Sequence, residues 1–220
     1  MTEVHKKLAF FFLDGDHASA WEIVKEDLAA GKNTMEIFEE LFTPAMGVIG
    51  EMWEDNSITV ADEHLATSTC DFVLSRYQHD VTQKRKDPQN GRKALFLCVQ
   101  DENHYLGLKM IDLLFKEKGW TTKFLGCNLP LEYAVSAAEK WKPDVIGLSF
   151  TTAYRVSSLA GYIEQLEALD HRPTVLLGGR LVPLHDFKML CSEHTKLIPS
   201  LEDLNGWLNY GFSRKEQIPN

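Results

Sequence analysis

Residues 101–107 read Asp-Glu-Asn-His-Tyr-Leu-Gly. A carboxylate two residues before an imidazole suits metal ligation. Glu102 can accept a hydrogen bond from one ring nitrogen of His104, which fixes the tautomer and raises the basicity of the other nitrogen. Gly107 lets the loop pack against something bulky. The same group also reads as a solvated turn. In Gly147-Leu148-Ser149-Phe150-Thr151-Thr152, three hydroxyls fall within four residues; they can line a ligand slot or cap a helix. Leu177-Gly178-Gly179-Arg180 carries a glycine pair, which admits a ligand to the backbone or makes an ordinary turn. Neither GxGxxG nor GxxxxGK[ST] occurs, so dinucleotide and P-loop readings lose support. Trp53 is followed, after nine intervening residues, by Glu63-His64. An indole can pack against a flat group, Glu63 can accept hydrogen bonds from hydroxyls or an amine, and His64 can donate or accept. The alternative is a core tryptophan and a solvated first helical turn.

Two kinds of element would have to position these residues. Through about residue 83 the apolar residues recur at helical spacing (Leu8, Phe11, Phe12; Trp21, Val24, Leu28; Ile37, Leu41; Leu65, Thr69, Phe72, Val73, Tyr77), which predicts a four-helix bundle. Asp14-Gly15-Asp16, Gly31-Lys32-Asn33 and Asn56-Ser57 mark its turns. Pro44 predicts a kink or a late start in the third helix. Residues 84–93, KRKDPQNGRK, read as a basic solvated linker. From 94 to 220 short apolar runs at 94–99, 121–125, 145–150, 174–177 and 196–198 alternate with helical spacing at 105–118, 132–140, 157–169, 186–191 and 201–210. That alternation predicts an α/β domain with a doubly wound, Rossmann-like or flavodoxin-like parallel sheet, whose ligands bind beyond the carboxyl ends of its strands. Glu102, His104, Tyr105, Gly107, Ser149, Thr151, Gly178 and Gly179 all follow or end such strands.

The chain has 220 residues, 44% hydrophobic and 25% charged, which excludes wholesale disorder. Its net charge of −9 argues against non-specific binding to nucleic acid or an anionic membrane. No apolar run is long enough to span a bilayer, and no secretory signal is evident. Cys70, Cys98, Cys127 and Cys191 form no CxxC and suit free thiols in a reducing cytoplasm. His79, His171, His185 and His194 are expected to be solvated at helix ends or loops. Phe10-Phe11-Phe12 is expected in core or dimer packing.

The order E-x-H-x-x-G, then S-x-T, then G-G resembles the cobalamin-binding domain. That resemblance implies that His104 is the lower axial ligand of cobalt, displacing the cofactor's own base, and that Glu102 orients it. Gly107, Ser149, Thr151, Gly178 and Gly179 would line the slot for the displaced nucleotide tail. A preceding helical bundle is shared with corrinoid proteins of methyltransferase systems, where it caps the cofactor's upper face. The W-x9-E-H pattern resembles more closely the adenosylcobalamin-dependent photoreceptors of the light-responsive MerR-type repressor family. It implies that Trp53, Glu63 and His64 attend an adenosyl group. Here no DNA-reading region is expected ahead of the bundle, so regulation would pass through a protein partner, such as a transcription regulator, or through a homo-oligomer. The residue after Trp53 is Glu54, and no position matches the histidine that captures cobalt in those photoreceptors.

The resemblance implies a non-enzymatic sensor or regulator holding adenosylcobalamin, or another cobalamin form, in which photolysis alters bundle packing and association. The alternatives are a corrinoid methyl-carrier subunit and a plain carrier or a domain without cobalt binding.

Overall fold

Local chemistry sets the helix ends of the first half. The structure, a computed structural model, describes residues 3–82, 90–151, 156–184 and 186–211. Helix α1, Glu3–Leu13, stops at Gly15, whose φ of 70° closes the turn. Asp16 then caps α2, His17–Ala29, accepting from the Ser19 amide at 3.0 Å. Asn33 and Glu36 form a reciprocal capping box at the start of α3, Thr34–Ile37. A π turn over Phe38–Phe42 joins α3 to α4, Thr43–Glu54. Pro44 stands in the first turn of α4, just after the π turn, in keeping with the interruption expected there. Pro44 has no N–H, and its ring would crowd a carbonyl one turn back. In the widened turn the Thr43 amide reaches back to the Phe38 carbonyl, which accommodates the proline. Thr59 and Asp62 cap α5, Val60–Thr82, through Thr59 N–H to Asp62 Oδ2 at 2.7 Å and Asp62 N–H to Thr59 Oγ1 at 3.3 Å.

These helices bury Leu8, Phe12, Trp21, Val24, Phe38, Phe42, Ile49, Val73 and Tyr77. Tyr77 finds a buried partner for its hydroxyl in Thr34 Oγ1, at 2.8 Å. Of the phenylalanine run, Phe12 is core while Phe10 is exposed.

In the second half, five parallel strands among the described residues form one sheet in the order β2-β1-β3-β4-β5. They are β1 Lys93–Cys98, β2 Thr121–Phe124, β3 Val145–Ser149, β4 Thr174–Gly178 and β5 Thr195–Ile198. Helices α6 Leu106–Glu117, α7 Leu131–Trp141 and α8 Val156–Glu167 follow β1, β2 and β3, and α9 Leu201–Gly206 follows β5. β1, β3 and β4 are almost wholly buried, as expected of a parallel sheet covered on both faces. Leu95, Leu97, Ile146, Leu148, Val175 and Leu177 pack with Tyr162, Ile163 and Leu166 of α8.

The helix expected near 186–191 is a single 3-10 turn, Lys188–Leu190. Only Phe187 of that segment is buried, against Phe150. Asp186 Oδ1 accepts from the Lys188 amide, a local bond that competes with a helix. The chain divides into two compact units, Met1–Lys86 and Asp87–Asn220. Residue 83 and residues 84–89 of the expected linker lie outside the described residues, as do Thr152 and His185; β1 begins at Lys93.

Candidate functional site

The strand order creates the site. From β1 the chain crosses to β2 on one side and later returns to β3 on the other. The loops leaving β1 and β3 therefore diverge at a switch point, where open α/β sheets bind ligands. Glu102 and His104 come from the loop after β1, and Thr151 from the loop after β3.

Glu102 is buried to 2% exposure and gathers four hydrogen bonds. Its Oε1 accepts from the His104 amide at 2.9 Å and lies 2.6 Å from His104 Nδ1. Its Oε2 accepts from the Thr151 amide and hydroxyl, each at 2.6 Å. Burial opposes ionisation, but the bonds from His104 and Thr151 outweigh it and hold the carboxyl down at about 2. An ionised carboxylate only accepts, so Nδ1 carries a proton and, in the neutral ring, Nε2 carries the lone pair. The imidazole is 58% exposed. The arrangement is an exposed imidazole whose tautomer is set from behind.

Cys98, at the end of β1, does not compete as a donor. Burial first, then the Glu102 and Cys127 charges, push its thiol up to about 12.

Cys98, Ser149, Gly178 and Ile198 share one register row along the carboxyl edge of the sheet. Ser149 is 8% exposed. A Cβ on Gly178 would meet only the Ile198 carbonyl, at 3.9 Å, and one on Gly107 would meet nothing within 4 Å. Gly179 differs: with φ at 139°, its Cβ would fall 2.0 Å from the Phe150 carbonyl oxygen. Its need for glycine is set by the neighbouring strand end. Tyr105 precedes α6, its ring 6.3 Å from that of Phe124.

Within the bundle, Trp53 is 49% exposed, so it is no core tryptophan. It lines a concavity of about 590 Å³ with Glu54, Asn56, Ile58, Thr59 and Val60. Glu63 and His64 lie in the first turn of α5; Glu63 Oε1 accepts from Thr67 Oγ1 at 2.8 Å, and His64 is exposed.

Two residues of the site carry no pattern in the sequence. The Asn128 side chain accepts from the Asp101 amide, and the Tyr162 hydroxyl bonds the Gln100 amide. Among the histidines, His79 is exposed. His171 departs from the solvated expectation: its Nε2 is shielded from water, and burial, then Lys142, lower its pKa.

Residues 4–77 and 92–194 each match a B12 binding domain profile. This chain belongs to the B12-binding domain family. The HTH-type transcriptional repressor CarH of Myxococcus xanthus is 26% identical over 163 residues, 74% of this chain and 53% of its own length. CarA, a repressor of the same organism, is 30% identical over 147 residues, 66% and 46% of the two chains. The chain thus spans about half the length of these repressors. Trimethylamine corrinoid protein 1 of Methanosarcina acetivorans is 22% identical over 179 residues, 80% of this chain and 83% of its own. The fold resembles that of the Methanosarcina barkeri monomethylamine corrinoid protein, with a TM-score of 0.70 over 94% of this chain and 98% of that one, at 19% identity.

A cobalamin-type cofactor fits the donor set. Among the described residues no three His, Cys, Asp or Glu side chains converge to hold a metal ion. A corrin brings its own ring nitrogens, so one oriented imidazole would suffice from the protein. None of the described helices is long and apolar enough to cross a membrane.

Proposed function

We propose that this B12-binding protein is a non-catalytic, adenosylcobalamin-dependent light sensor, with His104 as the lower axial ligand of cobalt. The Glu102 network supports the ligand assignment, because four hydrogen bonds hold a carboxylate against His104 Nδ1. Ligation would go through Nε2. Thr151 holds Glu102 in place from the second strand end, and Ser149, Gly178, Gly179 and Gly107 leave little bulk where a nucleotide tail would lie.

The observation that carries the sensor reading is the half-exposed Trp53 beside a concavity, with nine residues between it and Glu63-His64. An indole, a carboxylate and an imidazole suit the ring, hydroxyls and amine of an adenosyl group. Adenosylcobalamin supplies a cobalt–carbon bond that light can break. The bundle then loses the group it recognises, and this differential contact shifts its association with a protein partner or a second copy. The repressors CarH and CarA supply the precedent for a regulatory role. Glu54 lines the same concavity, so no second imidazole is assigned there.

The test is dark reconstitution with adenosylcobalamin, then green light, following absorption and oligomeric state. Light-dependent changes in both are expected; invariance of both refutes the sensor. Nitrogen-15 histidine labelling should alter the axial nitrogen splitting in the cobalt(II) resonance spectrum, and His104→Ala should abolish it. A second reading, a corrinoid methyl carrier, draws on the corrinoid relative that matches 80% of this chain. Tighter binding of methylcobalamin than of adenosylcobalamin, with methyl transfer by a cognate methyltransferase, would favour it.

A further inference from the structure

We propose that Tyr162 and Asn128 are positioning residues for the lower ligand, clipping the His104 loop from outside the E-x-H-x-x-G motif. The inference rests on the reading of His104 as the cobalt ligand.

The loop after β1 has little regular structure of its own. Val99 forms one isolated bridge to Leu129, and α6 does not begin until Leu106. Between them, Asp101 stands at a φ of 63°, a conformation uncommon for a residue with a side chain. Two groups hold it there. Tyr162, 2% exposed on α8, accepts from the Gln100 amide at 3.0 Å and donates to the Leu129 carbonyl at 2.6 Å. One hydroxyl thus ties the loop after β1 to the loop after β2. Asn128, itself at a φ of 54°, accepts from the Asp101 amide through Oδ1 at 2.8 Å, and its own amide donates to the Glu102 carbonyl at 2.9 Å.

The amides of Gln100 and Asp101 and the carbonyl of Glu102 are therefore all fixed by residues from other loops and from α8. Glu102 in turn orients His104. An imidazole that must meet a metal along its lone-pair axis tolerates little rotation, so the backbone beneath Glu102 needs such fixing. A buried tyrosine usually has a bonded hydroxyl; this one uses both its bonds to tie the motif's own loop to the loop after β2.

The test uses Tyr162→Phe and Asn128→Gly. The first keeps the buried ring, and the second suits the positive φ while removing the Oδ1 acceptor. In protein without cofactor, the Gln100 amide in Tyr162→Phe and the Asp101 amide in Asn128→Gly should exchange with deuterium faster than in the parent. Core amides of β1 and β3 should be unchanged. With adenosylcobalamin in the dark, each variant should bind about tenfold more weakly and show a smaller histidine-ligated fraction at saturation. Weaker binding with the parent's full ligated fraction would mean a merely structural role and would overturn the proposal, as would parental exchange and affinity. A parent protein that binds cobalamin with no axial histidine signature would instead overturn the assignment of His104.

Discussion

Replacing Glu102 by Gln probes the centre of the site without cofactor. The carboxylate accepts from both the amide and Nδ1 of His104 and from the amide and hydroxyl of Thr151. A glutamine keeps one acceptor oxygen and turns an NH2 toward one of those donor pairs. The magnitude follows from titration. The carboxyl is held at about 2, against 4.5 when unconstrained. At 1.36 kcal/mol per pKa unit this corresponds to ~3 kcal/mol. The adjoining imidazole is 58% exposed, so water screens part of it and ~2 kcal/mol is the working figure. Because the folded pKa is depressed, that stability is complete above pH ~5 and is lost as pH falls toward 2. Urea denaturation followed by tryptophan fluorescence should show Glu102→Gln less stable than the parent by ~2 kcal/mol at pH 7. The gap should narrow steadily below pH 5. Equal stability at pH 7, or a gap that stays constant down to pH 3, refutes the reasoning.

Gly179→Ala should cost about 3 kcal/mol or more, as strain and overpacking combine against the Phe150 carbonyl; urea midpoints decide it. Gly107→Ala, with nothing within 4 Å of the new methyl in a helix, should raise stability without cofactor by about 0.5 kcal/mol. Cobalamin titration of the same variant should show weaker binding if the cofactor lies against Gly107. Iodoacetamide at pH 8 should label exposed Cys127 and spare Cys98, whose buried thiol is pushed up to about 12; peptide mass analysis reads the order. Trp53→Ala should weaken adenosylcobalamin more than methylcobalamin, measured by competition, since the smaller group has less surface to offer an indole.

Most elements are legible in the sequence because their signals are local. Asp16 and Asn33 are capping residues in the positions that caps require, and the apolar runs of β1, β3 and β4 are short and bounded by turns. The 186–191 segment misleads. Burial of Phe187 alone leaves it without a helical stripe, so only a 3-10 turn forms. In the candidate site, Glu102 and His104 are visible through their spacing. Thr151 is visible as a hydroxyl at a strand end, but its bond to Glu102 depends on β1 pairing with β3, which no local pattern states. Gly179 reads as a place for a ligand, yet Phe150 alone already requires glycine there. Asn128 and Tyr162 are illegible because an isolated loop asparagine and a tyrosine on an apolar helix face look like many others.

Glu102 and Thr151 stand 49 residues apart in the chain. During synthesis the ribosome must deliver the second strand, its crossover helix and the third strand before the carboxylate meets its last two donors. A nascent chain that has exposed only the E-x-H turn has the imidazole and its carboxylate but not the Thr151 donors that fix that carboxylate. Such non-local closure is slow compared with helix formation. If His104 ligates the cofactor as proposed, tight loading would wait on completion of the crossover from β1 to β3.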